Sequence, residues 1–372
     1  MILQNLSILL VILTATTVNS FSPHQKWKST CVTPISGGGS QSESALYAIG
    51  VLARKGKEME VKKYVESGEM EESTTEWYNK MKDALDSVTP RSEPGPVQSG
   101  LTKRKGTISI VAEYRRKLSD SGFIDDILGP ELLSPTFLEF GAVGVSILAD
   151  NRMGGCDYKD IGLFSEEQRS AKGEVPGPMP VINNDLIVDE VQIARSKAYG
   201  ASAIVLNYGL LGSEEKISHF IKCASALDME TIVAVSSKEQ SQSAVNSGAS
   251  ILMVTGLESS SETNEDIVAE KWEVVQGLTT PDDSQIPLCI GASISNRAQN
   301  SDEIEEAWKC RDSGFNFIFV ADGLYRGGND PTEHCGAIIK AMAAKSSVKW
   351  ASAKTLSGKG EGAREYLGDI MM

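Results

Sequence analysis

Acidic, basic and amide side chains close several apolar runs of this chain. Glu113 is followed by Arg115 and Arg116 at the end of one run, and Asn184 and Asn207 end two later runs. A carboxylate in this position can move protons, or it can form an ion pair with a neighbouring arginine. The arginines can form a solvated rim or bind an anion. The asparagines can line a neutral polar pocket or accept hydrogen bonds from loop amides.

The runs that carry these residues are short, rich in β-branched residues, and separated by amphipathic stretches. Strands that are nearly all apolar and alternate with helices indicate a parallel sheet covered by helices. Eight such repeats predict an α/β fold, a (β/α)8 TIM barrel over residues 106–345, with its functional residues at the carboxyl ends of the strands. The runs begin at residues 107, 144, 179, 201, 230, 249, 287 and 315.

A doubly wound open sheet is the structural alternative, and it would also place ligands at the carboxyl ends of its strands. No GxGxxG or GxxxxGK[ST] motif follows the runs. Neither a dinucleotide site nor a nucleoside triphosphate site is therefore predicted. We expect no organic cofactor, and the barrel remains the better fit.

The segments that flank the predicted barrel differ in composition. Residues 43–88 have apolar positions spaced by three and four and predict a helical N-terminal extension. Residues 89–105 are rich in proline and glycine near their start, which is typical of a linker. The tail, residues 346–372, has mixed charge and glycine and is expected to be flexible, with a partner-docking segment as the alternative.

The first 42 residues have the pattern of a targeting sequence. An apolar run and small residues predict a signal peptide over residues 1–20, too short for a membrane span. Residues 21–42 begin with Phe21, are rich in serine and carry almost no acid, as transit peptides do. We expect a bipartite presequence that directs the chain to a plastid (chloroplast). Secretion is the alternative, although scattered cysteines argue against it.

Charge and cysteine content exclude several classes of partner. The formal net charge is -14, and nucleic-acid binders instead concentrate lysine and arginine on one face. We expect no nucleic acid and no membrane contact in the mature form. The six cysteines have no CxxC pairing, and the chain has three histidines. We therefore expect buried thiols and no metal site.

Several motifs in the predicted barrel carry a family resemblance. They are VAEYRRK from Val111, GAVGVSILAD from Gly141, VINNDLIVDEVQI from Val181 and GLYRGGNDP from Gly323. The chain resembles the indole-3-glycerol-phosphate synthase family from Ile108 to Pro331. The resemblance implies a barrel enzyme of tryptophan biosynthesis, a carbon–carbon lyase. Its members close and decarboxylate a carboxyphenylamino deoxyribulose phosphate without metal or organic cofactor.

The resemblance also implies which residues carry the chemistry. That reaction needs a cationic acid, a second lysine, a proton-moving glutamate and groups that hold phosphate. Glu113 matches the glutamate of the first strand, and we predict it as the catalytic residue. Arg115 stands where the family has the second lysine. Asn184 stands where it has the lysine that serves as the general acid. Ala234 replaces the glutamate of the fifth strand.

The expected phosphate cradle is altered in the same way. Ser293 stands where the family has a glycine after the seventh strand, and Ala321 stands where it has one after the eighth. Glycine lets a phosphate approach backbone amides, so these replacements weaken the cradle. Gly291 can provide a shifted anion site. Our ligand-pocket candidates are Arg115, Asn184, Asn207, Gly291 and Ser293.

Three functional hypotheses follow. The first is a plastid pseudoenzyme that keeps the barrel as a ligand-sensing or partner-binding module. It would take a small-molecule ligand at the barrel mouth or a protein partner that the sequence does not identify. The second is an active synthase that uses substituted groups such as Glu113 and Arg115. The third is a barrel enzyme with a different small substrate.

Overall fold

The structure is a computed structural model that describes residues 40–344 except 90, 104–105, 119–121, 125–127, 171–177, 257–262, 282–285, 298 and 327–330. The predicted signal peptide, nearly all of the predicted transit peptide and the predicted tail 346–372 lie outside the described residues. The chain divides into two compact units between Tyr47 and Ala48, and the second contains the barrel. Within the described residues, no helix is long and apolar enough to cross a membrane.

Eight parallel strands close into a barrel, because β1 pairs with both β4 and β10. Each of the eight lies inside a predicted apolar run, so the predicted (β/α)8 fold is confirmed and the open-sheet alternative is wrong. The strands are β1 (Ser109–Tyr114), β2 (Lys117–Leu118), β3 (Gly122–Phe123), β4 (Gly144–Ile147), β5 (Val181–Asn183), β6 (Ala203–Asn207), β7 (Glu230–Val235), β8 (Ile251–Val254), β9 (Cys289–Ser293) and β10 (Phe317–Val320).

Helices alternate with the barrel strands and extend the chain before them. Two of them, α1 and α2, form the predicted N-terminal helical extension. The helices are α1 (Ser40–Glu66), α2 (Glu72–Ala84), α3 (Pro96–Leu101), α4 (Pro130–Glu139), α5 (Tyr158–Ser170), α6 (Glu190–Ala198), α7 (Tyr208–Leu211), α8 (Glu214–Ala226), α9 (Lys238–Asn246), α10 (Asn264–Val275), α11 (Asn300–Ser313) and α12 (Pro331–Ala343). A short antiparallel hairpin, β2–β3, follows β1 and was not predicted.

Local sequence explains where the barrel helices begin. Asp189 caps α6 by accepting the Val191 N–H at 2.9 Å, and Gln192 Oε1 accepts the Asp189 N–H at 3.1 Å. This capping box satisfies amides that the first turn leaves without intrahelical partners. Ser213 and Ser237 cap α8 and α9 in the simpler one-bond form.

The stretch 89–105, predicted as a linker, contains the short helix α3 at the amino end of the barrel. Val97 and Leu101 lie on this helix and pack against side chains of the barrel interior, including Phe317. Glu230, the first residue of β7, accepts the N–H of Val97 at 2.6 Å and that of Gln98 at 3.0 Å. Helix α3 therefore closes this end of the barrel, and a charged side chain from β7 caps it.

Candidate functional site at the barrel mouth

Glu113 lies at the carboxyl end of β1 and is 3% exposed. Its Oε1 accepts a hydrogen bond from Arg115 Nε at 3.0 Å, and its Oε2 accepts one from Asn184 Nδ2 at 2.7 Å. Tyr325 donates its hydroxyl to the Glu113 carbonyl at 2.8 Å, which fixes the end of the strand. Both carboxylate oxygens of the predicted catalytic residue therefore have partners within the protein.

Arg115 joins two walls of the mouth. Its guanidinium also pairs with Asp322, which follows β10, and the other Asp322 oxygen accepts from Asn296 Nδ2 at 3.2 Å. Burial alone would lower the pKa of Arg115, but the carboxylates of Glu113 and Asp322 outweigh it and raise that pKa above its ordinary value. We call Asn184, Glu113, Arg115, Asp322 and Asn296 the mouth network.

A cavity of about 530 Å³ opens beside the mouth network. Cations and carboxylates face it together, which makes its walls mixed in charge. This volume falls in the range of small-molecule sites, roughly 300 to 1,000 Å³. Its polar lining includes Arg115, Lys271, Ser293, Asn296, Arg297, Glu303 and Asp322.

Lys271 reaches the cavity from α10 and is 4% exposed. Its Nζ donates to the Ser293 carbonyl at 2.6 Å, to Ser295 Oγ at 3.0 Å and to Glu306 Oε1 at 2.5 Å. Three acceptors match the three donors of an ammonium group. Lys271 therefore fixes the loop after β9 rather than standing as an unengaged cation.

A buried hydroxyl lies beside Glu113 on the neighbouring strand. Ser146 is the register partner of Glu113 and of Ile182, whose side chain packs inside the barrel. Residues in register on parallel strands point to the same face of the sheet. The Ser146 hydroxyl has no hydrogen-bond partner among the described residues. Ser146 is fully buried and is not among the residues that line the cavity.

A sequence model of indole-3-glycerol phosphate synthase matches residues 61–258, which is more than half of the 372 residues. The chain belongs to the indole-3-glycerol phosphate synthase family. The matched range runs from the end of α1 to just past β8, so the family assignment covers both the extension and most barrel strands.

Bacterial synthases are among the relatives. The indole-3-glycerol phosphate synthase of Leptospira interrogans is 34% identical over 146 residues, which are 39% of this chain and 54% of that protein. The one from Bacteroides thetaiotaomicron is 33% identical over 131 residues, 35% of this chain and 46% of that protein. The chain spans about half the length of the curated relatives it matches. A solved structure of 3-hexulose-6-phosphate synthase has a TM-score of 0.43 and 12% identity over 64% of this chain and all of that one.

Within this family fold, the structure joins some predicted residues and separates others. Glu113, Arg115 and Asn184 form one hydrogen-bonded group, and Ser293 lies on the cavity wall. Asn207 caps α7 by accepting the Leu210 N–H at 2.9 Å and does not join the mouth network. Gly291 has a packing role. A Cβ at this position would lie 2.3 Å from the Phe317 ring, so the glycine makes room for that ring.

A second charged cluster at the strand ends comes from the extension of this synthase-family chain. Lys57 on α1 is 1% exposed, and its Nζ lies 2.6 Å from Asp150 and 2.8 Å from Asp185, which follow β4 and β5. Burial lowers the pKa of Lys57, but the attraction of Asp185 and Asp150 outweighs it and raises that pKa. Tyr158 completes the group by donating to Asp185 at 2.8 Å.

Sequence reasoning missed Lys57, Lys271 and Asp322 because each meets its partners only through the closed fold. Asp322 had a usable signal, since it directly follows the eighth predicted strand. No group of three metal-ligand side chains forms at the mouth among the described residues. One such group, Glu190, His219 and Cys223, lies on α6 and α8 instead.

Proposed function

We propose that this barrel of the indole-3-glycerol phosphate synthase family binds a small polar ligand at its mouth and does not carry out the ring-closing decarboxylation. The observation that carries this proposal is the guanidinium of Arg115, held between Glu113 and Asp322. The family resemblance implies a lysine at this position. The chain would then act as a ligand-sensing or partner-binding pseudoenzyme related to tryptophan biosynthesis.

Proton transfer is the first step that this arrangement disfavours. A guanidinium has too high a pKa to give up a proton at neutral pH, and the raised pKa of Arg115 makes this harder. Asn184, an amide, stands where the general acid is implied. A general acid contributes roughly 10²- to 10⁴-fold and an electrostatic donor roughly 10²- to 10³-fold to a rate, and such losses do not simply add.

The arrangement at the barrel mouth also disfavours the binding of a phosphate group. The end of β10, where the resemblance implies a phosphate cradle, carries the buried carboxylate of Asp322, and the buried carboxylate of Glu303 reaches it from α11. A Cβ on Gly323 would lie 1.6 Å from Glu303 Oε2, so a carboxylate already occupies the space against that backbone. The two acids are paired with Arg115 and Arg326, and their carboxylates still disfavour a phosphate dianion against that backbone. We therefore propose a ligand without phosphate that offers a hydrogen-bond donor to Asp322, which lines the cavity.

Binding measurements test the ligand class. Calorimetric titration of the full chain with inorganic phosphate is expected to give no saturable heat. A thermal-shift screen of unphosphorylated amines, amino acids and hydroxy acids is expected to yield a stabilising ligand. That stabilisation should be lost in Asp322→Asn and kept in the exposed control Asp83→Asn. Saturable phosphate binding, or stabilisation that is equal in the two variants, would contradict the proposed site.

One observation favours the second hypothesis, an active synthase. Glu113 keeps the family's residue type and lies buried at the end of β1. That hypothesis expects turnover which Glu113→Gln abolishes and which the exposed control Glu131→Gln leaves intact. A barrel enzyme with a different small substrate would instead bind a ligand from the screen and convert it.

We propose a plastid location from residues 1–42. The support is the apolar run followed by a serine-rich, acid-poor segment that begins with Phe21. Fused to a fluorescent protein in cells with a secondarily acquired plastid, residues 1–42 are expected to direct it into the plastid. Residues 1–20 alone are expected to direct it only into the secretory route. Secretion of both fusions would favour the secreted alternative.

A further inference from the structure

Three metal-ligand side chains meet outside the barrel, on the helices α6 and α8. His219 and Cys223 are one turn apart on α8, and Glu190 lies in the first turn of α6. His219 Nε2 is 2.5 Å from Glu190 Oε1 and 3.6 Å from Cys223 Sγ. One ligand atom from each residue lies within 4.8 Å of the other two.

The spacing of these atoms matches a particular class of ion. Zinc–sulfur and zinc–nitrogen bonds of about 2.3 and 2.0 to 2.1 Å at a tetrahedral angle put sulfur and nitrogen about 3.6 Å apart. The observed distance between Cys223 Sγ and His219 Nε2 is 3.6 Å. The nitrogen and the Glu190 oxygen would have to separate by about 1 Å to reach zinc distances. The His219 side chain is 41% exposed and can turn by that amount.

Lys82 provides a neighbour of the kind that metal ligands commonly have. Its ammonium group pairs with Oε2 of Glu190, and Oε1 is the oxygen that faces His219. A carboxylate can therefore bind an ion with one oxygen while the other keeps its partner from α2. Such outer contacts orient ligands and are themselves worth about 10- to 100-fold in metal affinity.

We propose that Glu190, His219 and Cys223 form a three-ligand site for a borderline-soft divalent cation, zinc in the first place, with water in the fourth position. Thiolate, imidazole and carboxylate are the ligand types that zinc accepts, and a mixed set of this kind disfavours magnesium and calcium. The ion would link α6 to α8 where α2 packs on both. The expected effect is to hold α6 and α8 together beneath α2.

The competing interpretation is an ion pair alone. Glu190 between Lys82 and His219 is a reasonable surface cluster without any metal, with Cys223 as a buried thiol beneath it. The two interpretations differ in whether the full chain binds one equivalent of metal through the Cys223 sulfur. They also differ in whether zinc raises the unfolding temperature.

Titration of the full reduced chain with Co²⁺, and then displacement by Zn²⁺, tests the site. We expect one equivalent of Co²⁺ to give a sulfur-to-metal charge-transfer band, which zinc removes. Cys223→Ser should abolish the band, and His219→Gln should weaken binding at least about 10-fold. Cys310→Ala and His334→Gln, which alter a buried thiol and a histidine outside the cluster, should bind as the wild type does.

Circular dichroism of each variant checks that it folds, and His219→Gln keeps the test open if Cys223→Ser does not, because its side chain is half-exposed. Zinc should also raise the unfolding temperature of the wild type and not that of His219→Gln. No charge-transfer band in the wild type, or the same binding in His219→Gln as in the wild type, would overturn the proposal.

Discussion

Two buried carboxylates, those of Glu113 and Asp322, share the guanidinium of Arg115 at the barrel mouth. A cation in this position balances two charges that are almost fully buried. Its removal would leave two acids uncompensated, which is far more costly than the loss of an exposed pair. The same engagement explains why we expect Arg115 to hold the mouth together rather than transfer protons.

Arg115→Met should therefore destabilise the protein strongly. We expect the free energy of unfolding to fall by about 3 to 5 kcal/mol, the usual range for breaking a buried pair. Urea unfolding followed by circular dichroism measures this. Arg169→Met is the matched control, because Arg169 pairs with Glu166 on an exposed face of α5. An equal loss of stability in the two variants would show that Arg115 does not stabilise the fold by balancing the charges of Glu113 and Asp322.

At the scale of elements, the loop between α1 and α2 is fastened to α6 through Glu71. Its carboxylate accepts from Tyr64 and, at 3.1 Å each, from Arg195 and Tyr199. Burial raises the pKa of Glu71, but the Tyr64 hydroxyl and the other donors outweigh it and lower that pKa to about 2. The pKa therefore lies below its ordinary value of 4.5.

This shift predicts a pH dependence of stability. A carboxyl group whose pKa is lowered by folding stabilises the protein above its unfolded pKa, and that contribution is lost as the pH falls. For Glu71 the loss should run from about 4.5 to about 2. The stability difference between wild type and Glu71→Gln should shrink over this window in urea unfolding. A difference that stays constant from pH 7 to pH 2 would contradict the assignment.

The Glu230 carboxylate that caps α3 should also contribute to stability. Glu230→Ala removes the acceptor of two backbone N–H groups at the closed end of the barrel. Each buried donor left without a partner costs about 1 to 3 kcal/mol. We expect Glu230→Ala to lower the free energy of unfolding by about 2 to 6 kcal/mol, and Glu230→Gln to lower it less. The exposed control Glu273→Ala should change it little in the same urea series.

At the scale of the whole molecule, Lys57 couples the extension to the barrel. It lies on α1 but balances Asp150 and Asp185 at the strand ends. Lys57→Met should cost about 3 to 5 kcal/mol of unfolding free energy, because two buried acids lose their cation. Lys55→Met, an exposed change on the same helix, is the control. Unfolding curves that stay the same for Lys57→Met would mean that α1 and the barrel are not energetically coupled.

Much of the fold is predictable from sequence because the barrel strands are apolar runs between amphipathic segments. The placement of Glu113, Arg115 and Asn184 at one mouth also follows, since the carboxyl ends of the strands share one face. Helix α3 does not follow, because Pro96 and Gly95 are typical of turns; yet proline also suits the first position of a helix. Nothing in the sequence pairs a lysine of the extension with Asp185.

The same limit applies to partners across the barrel. Asp322 follows β10 and Arg115 follows β1, so their contact depends on closure between the first and last strands. His219 and Cys223 did have a signal, the four-residue spacing that puts two side chains on one helix face. Their neighbour Glu190 becomes evident only once α6 and α8 pack.

Whether the barrel keeps the synthase reaction is decided by assaying the purified full chain for indole glycerol phosphate by fluorescence. We expect the wild type to give no more product than Glu113→Gln, with both proteins shown to be folded by circular dichroism. Turnover by the wild type that Glu113→Gln abolishes and Glu131→Gln preserves would contradict it. That result would mean that the barrel performs the synthase reaction with an arginine and an amide where the family resemblance implies two lysines.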